Sequence, residues 1–161
     1  MAGLINTLIE ILNEQASRYE DLLGLSLEKR DVIVANDIEG LQKITGLENI
    51  LVSQNKKLEK RRIQAVADLA MVLNKKESEL DLANLVDLLD GQTEQAELAA
   101  VRDRLRAALN ELSYANAHNA ELIGDALGYI DYSINVIRSN MQPGVFMEAD
   151  GGIKQESKPK K

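Results

Sequence analysis

The chain contains no cysteine and no tryptophan. Without cysteine there are no disulfides, no thiolate metal sites and no cysteine nucleophile. Proline is nearly absent: Pro143 and Pro159 are the only two, and the 142 residues before them lack the residue that most reliably interrupts a helix. Rings are scarce, with four Tyr and one Phe among 161 residues. Globular cores of this size usually use more, whereas thin helical bundles can be built from Leu, Ile, Val and Ala. No run approaches the roughly eighteen apolar residues of a membrane span. The opening MAGLINTLIEIL has neither the basic start nor the small-residue cleavage site of a signal peptide. The expected location is therefore the cytoplasm, without membrane insertion. A net charge of −7 counts against nucleic acid as a partner, because phosphate binding needs a basic face.

What is present is helical periodicity. From Thr93 to Met141 the residues Leu105, Leu109, Leu112, Ile123, Leu127, Ile130, Ile134, Ile137 and Met141 recur at steps of three and four, apart from one gap of eleven between Leu112 and Ile123 where Asn116 and Asn119 hold the spacing. At roughly 100° per residue they form one stripe. The spacing predicts a single helix of nearly fifty residues, on the order of 70 Å at about 1.5 Å per residue. Its two halves differ. In the first half the flank beside the stripe is Glu97, Arg104, Ala108, Glu111 and Ala115, so replacing Arg104 with Ala should change little. In the second half the same flank becomes Leu122, Ala126, Tyr129, Ser133 and Val136. The widened apolar arc needs a cover: another helix of this chain, a second copy, or a different protein.

Two more long helices precede it. The first is predicted over residues 4–35, with Ile5, Leu8, Leu12, Ala16, Tyr19, Leu23, Leu27 and Val34 as its stripe and Arg30 interrupting it. Asn36 opens the next: Asn36-Asp37-Ile38-Glu39 has the form of a capping box, with Asn36 as cap and Glu39 reaching back. Its stripe is Ile44, Leu47, Leu51, Leu58, Ala65, Leu69 and Leu73, with Asn55 and Arg62 inside it and Gly40 and Gly46 weakening its start. Residues 74–79 are a polar break. Residues 80–89 form a short crossover helix that ends at Asp90-Gly91, where glycine accepts a left-handed backbone. Thr93, with Glu94 and Glu97, opens the last helix. Residues 142–161 read as a flexible tail carrying an isolated Val145-Phe146-Met147.

The fold class is thus all-α: an elongated antiparallel bundle or hairpin of three long helices, with a short crossover helix and a disordered C-terminal tail. Residues 1–141 form the helical domain and 142–161 the tail. No phosphate loop, Ser-His-Asp order or metal-ligand spacing occurs, so no enzyme, cofactor or metal is expected. The single histidine, His118, falls away from the apolar stripe and should be solvated. Asn116 and Asn119 fall on the core stripe where it widens. A buried Asn needs partners, so some of Arg30, Asn55, Arg62, Asn116 and Asn119 are expected to meet in a polar layer.

The stretch LEKRDVIVANDIEGLQKITGLENILVSQNKKLEKRR, Leu27 to Arg62, resembles the centre of the FlgN family of flagellar export chaperones. So does NAELIGDALGYIDYSINVI, Asn119 to Ile137. The shared pattern is a first helix ending in basic Lys29 and Arg30, a helix-to-helix transition at residues 36–40, a basic close at residues 60–62, and an Asn followed by paired apolar residues, here Asn119, Leu122 and Ile123. The resemblance covers roughly residues 4–140. It implies a cytoplasmic, non-enzymatic chaperone of type III flagellar export that binds hook-associated proteins of the hook–filament junction, keeps them soluble and delivers them to the export apparatus. In the family the C-terminal helical part engages the client. The expected partner-binding face is therefore Asn119, Leu122, Ile123, Ala126, Leu127, Tyr129, Ile130, Ile134 and Ile137. The alternative is a self-associating coiled-coil scaffold, a homo-oligomer that buries the wide arc against its own copy.

Overall fold

A computed structural model describes the backbone of residues 2–141 and, within it, all side chains except those of residues 129–131, 133 and 137–141. The described residues form α1 (Ala2–Val34), α2 (Ile38–Leu73), a 3-10 turn (Glu77–Glu79), α3 (Leu82–Leu88) and α4 (Thr93–Met141). All regular structure among them is helical. The chain divides into two units, residues 1–119 and residues 120–161. The predicted tail, residues 142–161, lies outside the described residues.

Two asparagines set the helix ends. Asn36 (φ 55°) and Asn74 (φ 53°) both adopt the left-handed backbone, which Asn tolerates better than other residues with a Cβ. Around Asn36, the Asp37 N–H donates to Val32 O and the Asn36 N–H to Ile33 O. Around Asn74, the Lys75 N–H donates to Ala70 O and the Asn74 N–H to Met71 O. Both are Schellman motifs, which satisfy carbonyls that the helix end leaves open. The sequence expectation of Asn36 as the cap of α2 is therefore corrected by one residue. Asn36 stops α1, and Asp37 starts α2, its carboxylate accepting from the Gly40 N–H at 2.9 Å. A left-handed residue cannot also serve as an extended N-cap.

Within the first unit, residues 1–119, one set of buried and half-buried positions follows a 3.5-residue repeat, with Ile9, Ile11, Ala16 and Ala70 buried beside it. On α1 they are Ile5, Leu8, Leu12, Gln15, Tyr19, Leu22, Ser26, Lys29 and Ile33, each buried or half-buried. On α2 they are Ile44, Glu48, Leu51, Asn55, Leu58, Arg62, Ala65 and Leu69, and on α4 Leu98, Val101, Leu105, Ala108, Leu112, Ala115 and Asn119. Steps of three and four alternate throughout, the signature of helices wound around one another. The predicted stripes drifted off this seam. Leu27, Val34, Leu47 and Leu109 are exposed, whereas Gln15, Leu22, Ser26 and Ala108 are inside. A 3.6-residue reading slides by about 20° per heptad relative to the seam, and favouring large apolar residues hides the small ones.

The polar contacts give the directions. Lys29 pairs with Glu48 and Gln15 with Glu59, so α2 runs antiparallel to α1. Arg104 reaches Asn13, Ser17 and Glu20, while Ser26 meets Asn116 and Asn119, so α4 runs parallel to α1. α2 therefore ends at the end of the bundle where α4 begins, and the expected crossover is not needed. The segment carrying α3 instead closes that end. Leu80, Leu85 and Leu89 join Ile5, Leu8, Leu12, Leu69, Leu98 and Val101 in one contiguous core. Asp81 caps α3 by accepting from the Asn84 N–H at 2.8 Å, and Gly91 (φ 81°) makes the left-handed turn expected after it.

Candidate functional site

The first unit ends on α4 at a polar clasp. Ser26 Oγ, fully buried on α1, donates to Asn116 Oδ1 at 2.8 Å. Asn119 Nδ2 donates to the Ser26 carbonyl at 2.8 Å and to Ser26 Oγ at 3.0 Å. Both lone features of the sequence stripe, Asn116 and Asn119, thus meet, with Ser26 as the hub that sequence reading missed. The rest of the expected polar layer does not assemble. Arg62 donates to Glu59 at 2.6 and 2.8 Å, Asn55 is buried without a hydrogen-bond partner, and Arg30, though beside the clasp, pairs only with Asp31 at 3.6 Å. Heptad-spaced polar residues sit two turns apart along a helix, so only those at one level can touch.

Beside the clasp lies an open groove of about 400 Å³ between α1 and α4. Leu23, Leu27, Tyr114 and Ala115 line it, with Arg30 and His118 among its polar residues. Tyr114 and Leu27 are both exposed. His118 is solvent-exposed as expected, though it edges this groove.

Lower on the same interface stands Arg104. It donates to both carboxylate oxygens of Glu20, at 2.6 and 2.9 Å, to Asn13 Oδ1 at 3.1 Å and to Ser17 Oγ at 3.0 Å. These hydrogen bonds hold the Glu20 carboxyl below the ordinary carboxylate range against the opposing effect of burial, and raise Arg104 further. Arg104, expected to be replaceable by Ala with little effect, is instead tied to α1 by these four hydrogen bonds. Of the flank it belongs to, Ala108 and Ala115 are buried and Arg104 is half-buried, while Glu97 and Glu111 are exposed. On the other side of α1, Arg62 and then Gln15 hydrogen-bond Glu59 and lower its carboxyl in the same way.

The second unit is described by itself. In its helical part, residues 120–141, Leu122, Ile123, Ala126 and Ile134 are half-buried. Leu127, Tyr132 and Val136 are exposed. Of the expected partner-binding face, the side chains of Tyr129, Ile130 and Ile137 lie outside the described residues. Asn119 belongs to the first unit, where its amide is engaged with Ser26. The residues that sequence reasoning missed, Ser26, Leu22 and Gln15, share one signal. Each sits on the 3.5-residue repeat running from Ile5 to Ile33.

Among the described residues no group of His, Asp and Glu is placed to hold a metal ion, and no helix is long and apolar enough to cross a membrane. The family model described as FlgN protein matches residues 1–154. No curated protein and no solved structure matches the chain.

Proposed function

The chain belongs to the FlgN family of flagellar export chaperones, and on that premise we propose that its clients are hook-associated proteins, which it holds soluble in the cytoplasm before export. The contact surface in this reading is the apolar face of α4 in the second unit: Leu122, Ile123, Ala126, Leu127, Tyr129, Ile130, Ile134 and Ile137. The supporting observation is the exposure of Leu127 and Val136 beside half-buried Leu122, Ile123, Ala126 and Ile134 on a helical segment outside the core of the first unit. A helix with such a face takes an amphipathic helix of a partner, anchored at three- and four-residue steps.

The magnitudes suit a carrier that must let go. Burying roughly 600 Å² of apolar surface at about 25 cal/mol per Å² is worth on the order of 15 kcal/mol gross. Association and side-chain ordering remove much of that gain, which leaves affinities between about micromolar and nanomolar.

Titration of purified hook-associated proteins against wild type, Leu127→Asp and Ile134→Asp tests the reading. Wild type binds; both variants lose binding by about 100-fold or more while keeping their helicity. Equal binding by all three would leave the function and remove the site. Association of the protein only with itself would favour the self-associating scaffold.

A further inference from the structure

The contiguous core of the first unit draws on α1 up to Ala16, on α2 only from Ala65 to Ala70, on the α3 segment, and on α4 up to Leu105. The first half of α2 lies outside it. Among residues 38–58 only Ile44, Asn55 and Leu58 are buried. Every second seam position of α2 from residue 48 to residue 62 is polar: Glu48, Asn55 and Arg62. Glu48 finds Lys29 across the seam at 2.9 Å, and Arg62 is served by Glu59. Asn55 finds nothing. It is 8% exposed, and neither its Nδ2 nor its Oδ1 has a hydrogen-bond partner. Near it, Arg18 Nε makes no hydrogen bond, standing 3.6 Å from the Asp21 carboxylate, and the Arg18 head reaches Gln54 only at 3.5 Å.

α4 does not compensate. Ser26, Arg104 and Asn119 tie α1 to α4 through seven hydrogen bonds. No hydrogen bond or ion pair among the described residues joins α2 to α4. Every polar side-chain contact that the first half of α2 makes with another helix is therefore with α1, along a seam that carries an unsatisfied amide at its centre.

We infer that residues 38–58 form a strap that swings away from α1 and reseats, while residues 59–73 stay docked in the core. Opening hydrates the Asn55 amide, which recovers the solvation that closure removes. It uncovers Ile44 and Leu58 but spares the contiguous core cluster, to which neither belongs. The Asn36–Asp37 junction moves with the strap, and the buried face of α1 around Leu22 and Ile33 is uncovered. Closure resets the register through Lys29 and Glu48. A leucine at position 55 would seal the seam and fix the strap shut.

Hydrogen–deuterium exchange on the full chain reads this directly. Residues 38–58 should exchange roughly ten- to hundredfold faster than residues 65–73, by an opening with a smaller denaturant slope, because it exposes less surface than unfolding of the core cluster does. Asn55→Leu should slow exchange of residues 38–58 by about tenfold and leave residues 65–73 unchanged. The wild-type denaturant dependence stands as a separate test should the variant repack. A single common rate and denaturant slope for both segments would overturn the strap. So would an Asn55→Leu variant in which residues 38–58 exchange as fast as in wild type or faster.

Discussion

Arg104 shows how much one side chain can hold. Its guanidinium spans three levels of α1, from Asn13 to Glu20, with two parallel bonds to the Glu20 carboxylate. The pair is partly exposed, so its worth is that of a well-formed surface bridge rather than a buried one. Arg104→Ala is expected to cost about 1 kcal/mol, read from the urea midpoint. A pH dependence follows. The folded state holds Glu20 and Glu59 below the ordinary carboxylate range, through Arg104 and Arg62 respectively. A depressed folded pKa contributes stability above the unfolded value, and that contribution is lost as pH falls through the folded value. Stability should therefore decline below about pH 4.3, the ordinary Glu value. Arg104→Ala should lose less over that window than wild type does, as compared by urea titrations at neutral and acidic pH.

At the scale of elements, the junction between α1 and α2 works because two adjacent residues divide the labour. Asn36 closes one helix and Asp37 opens the next, with no connecting loop between them. Asp37→Ala should lower stability by about 1 kcal/mol through loss of the cap. Gly40 is tied to this cap: a Cβ there would collide with the Asp37 carboxylate. Gly40→Ala thus gains helix propensity and loses the cap bond, two effects of about 1 kcal/mol that oppose each other. Gly46 lies in the same helix with open space around the Cβ position. Gly46→Ala should raise stability by about 0.5–1 kcal/mol, a shift a thermal melt resolves. The helical character of the chain was legible because proline is missing from residues 1–142 and the apolar spacing is helical. Which face is buried was less so. Ala108, Ala115 and Ser26 sit at the contact, and small residues carry little weight in a hydrophobic stripe although they let helices come closest.

For the whole molecule, the core and the proposed client face occupy different units. Leu69 is fully buried among α1, the α3 segment and α4, so Leu69→Ala should cost about 2–5 kcal/mol. Leu127→Ala, on an exposed position of the second unit, should leave the unfolding midpoint nearly unchanged and weaken client binding. A protein whose business is to carry a partner keeps such a face apart from its own core, since a residue that holds the fold cannot also be free to dock.

Composition and periodicity alone determined that this chain is helical, that its last helix runs from Thr93 to Met141, and that Gly91 ends the short helix before it. They also carried the resemblance to the FlgN family. These are local properties: a missing proline, a capping residue and a repeat of three and four act within a few turns of the chain. Tertiary structure decided the rest. It chose Ser26 as the hub for Asn116 and Asn119, turned Arg104 toward α1, made the α3 segment an end closure instead of a crossover, and left Asn55 without a partner. Those outcomes depend on which residues of distant helices arrive at one level, and no local repeat encodes that meeting.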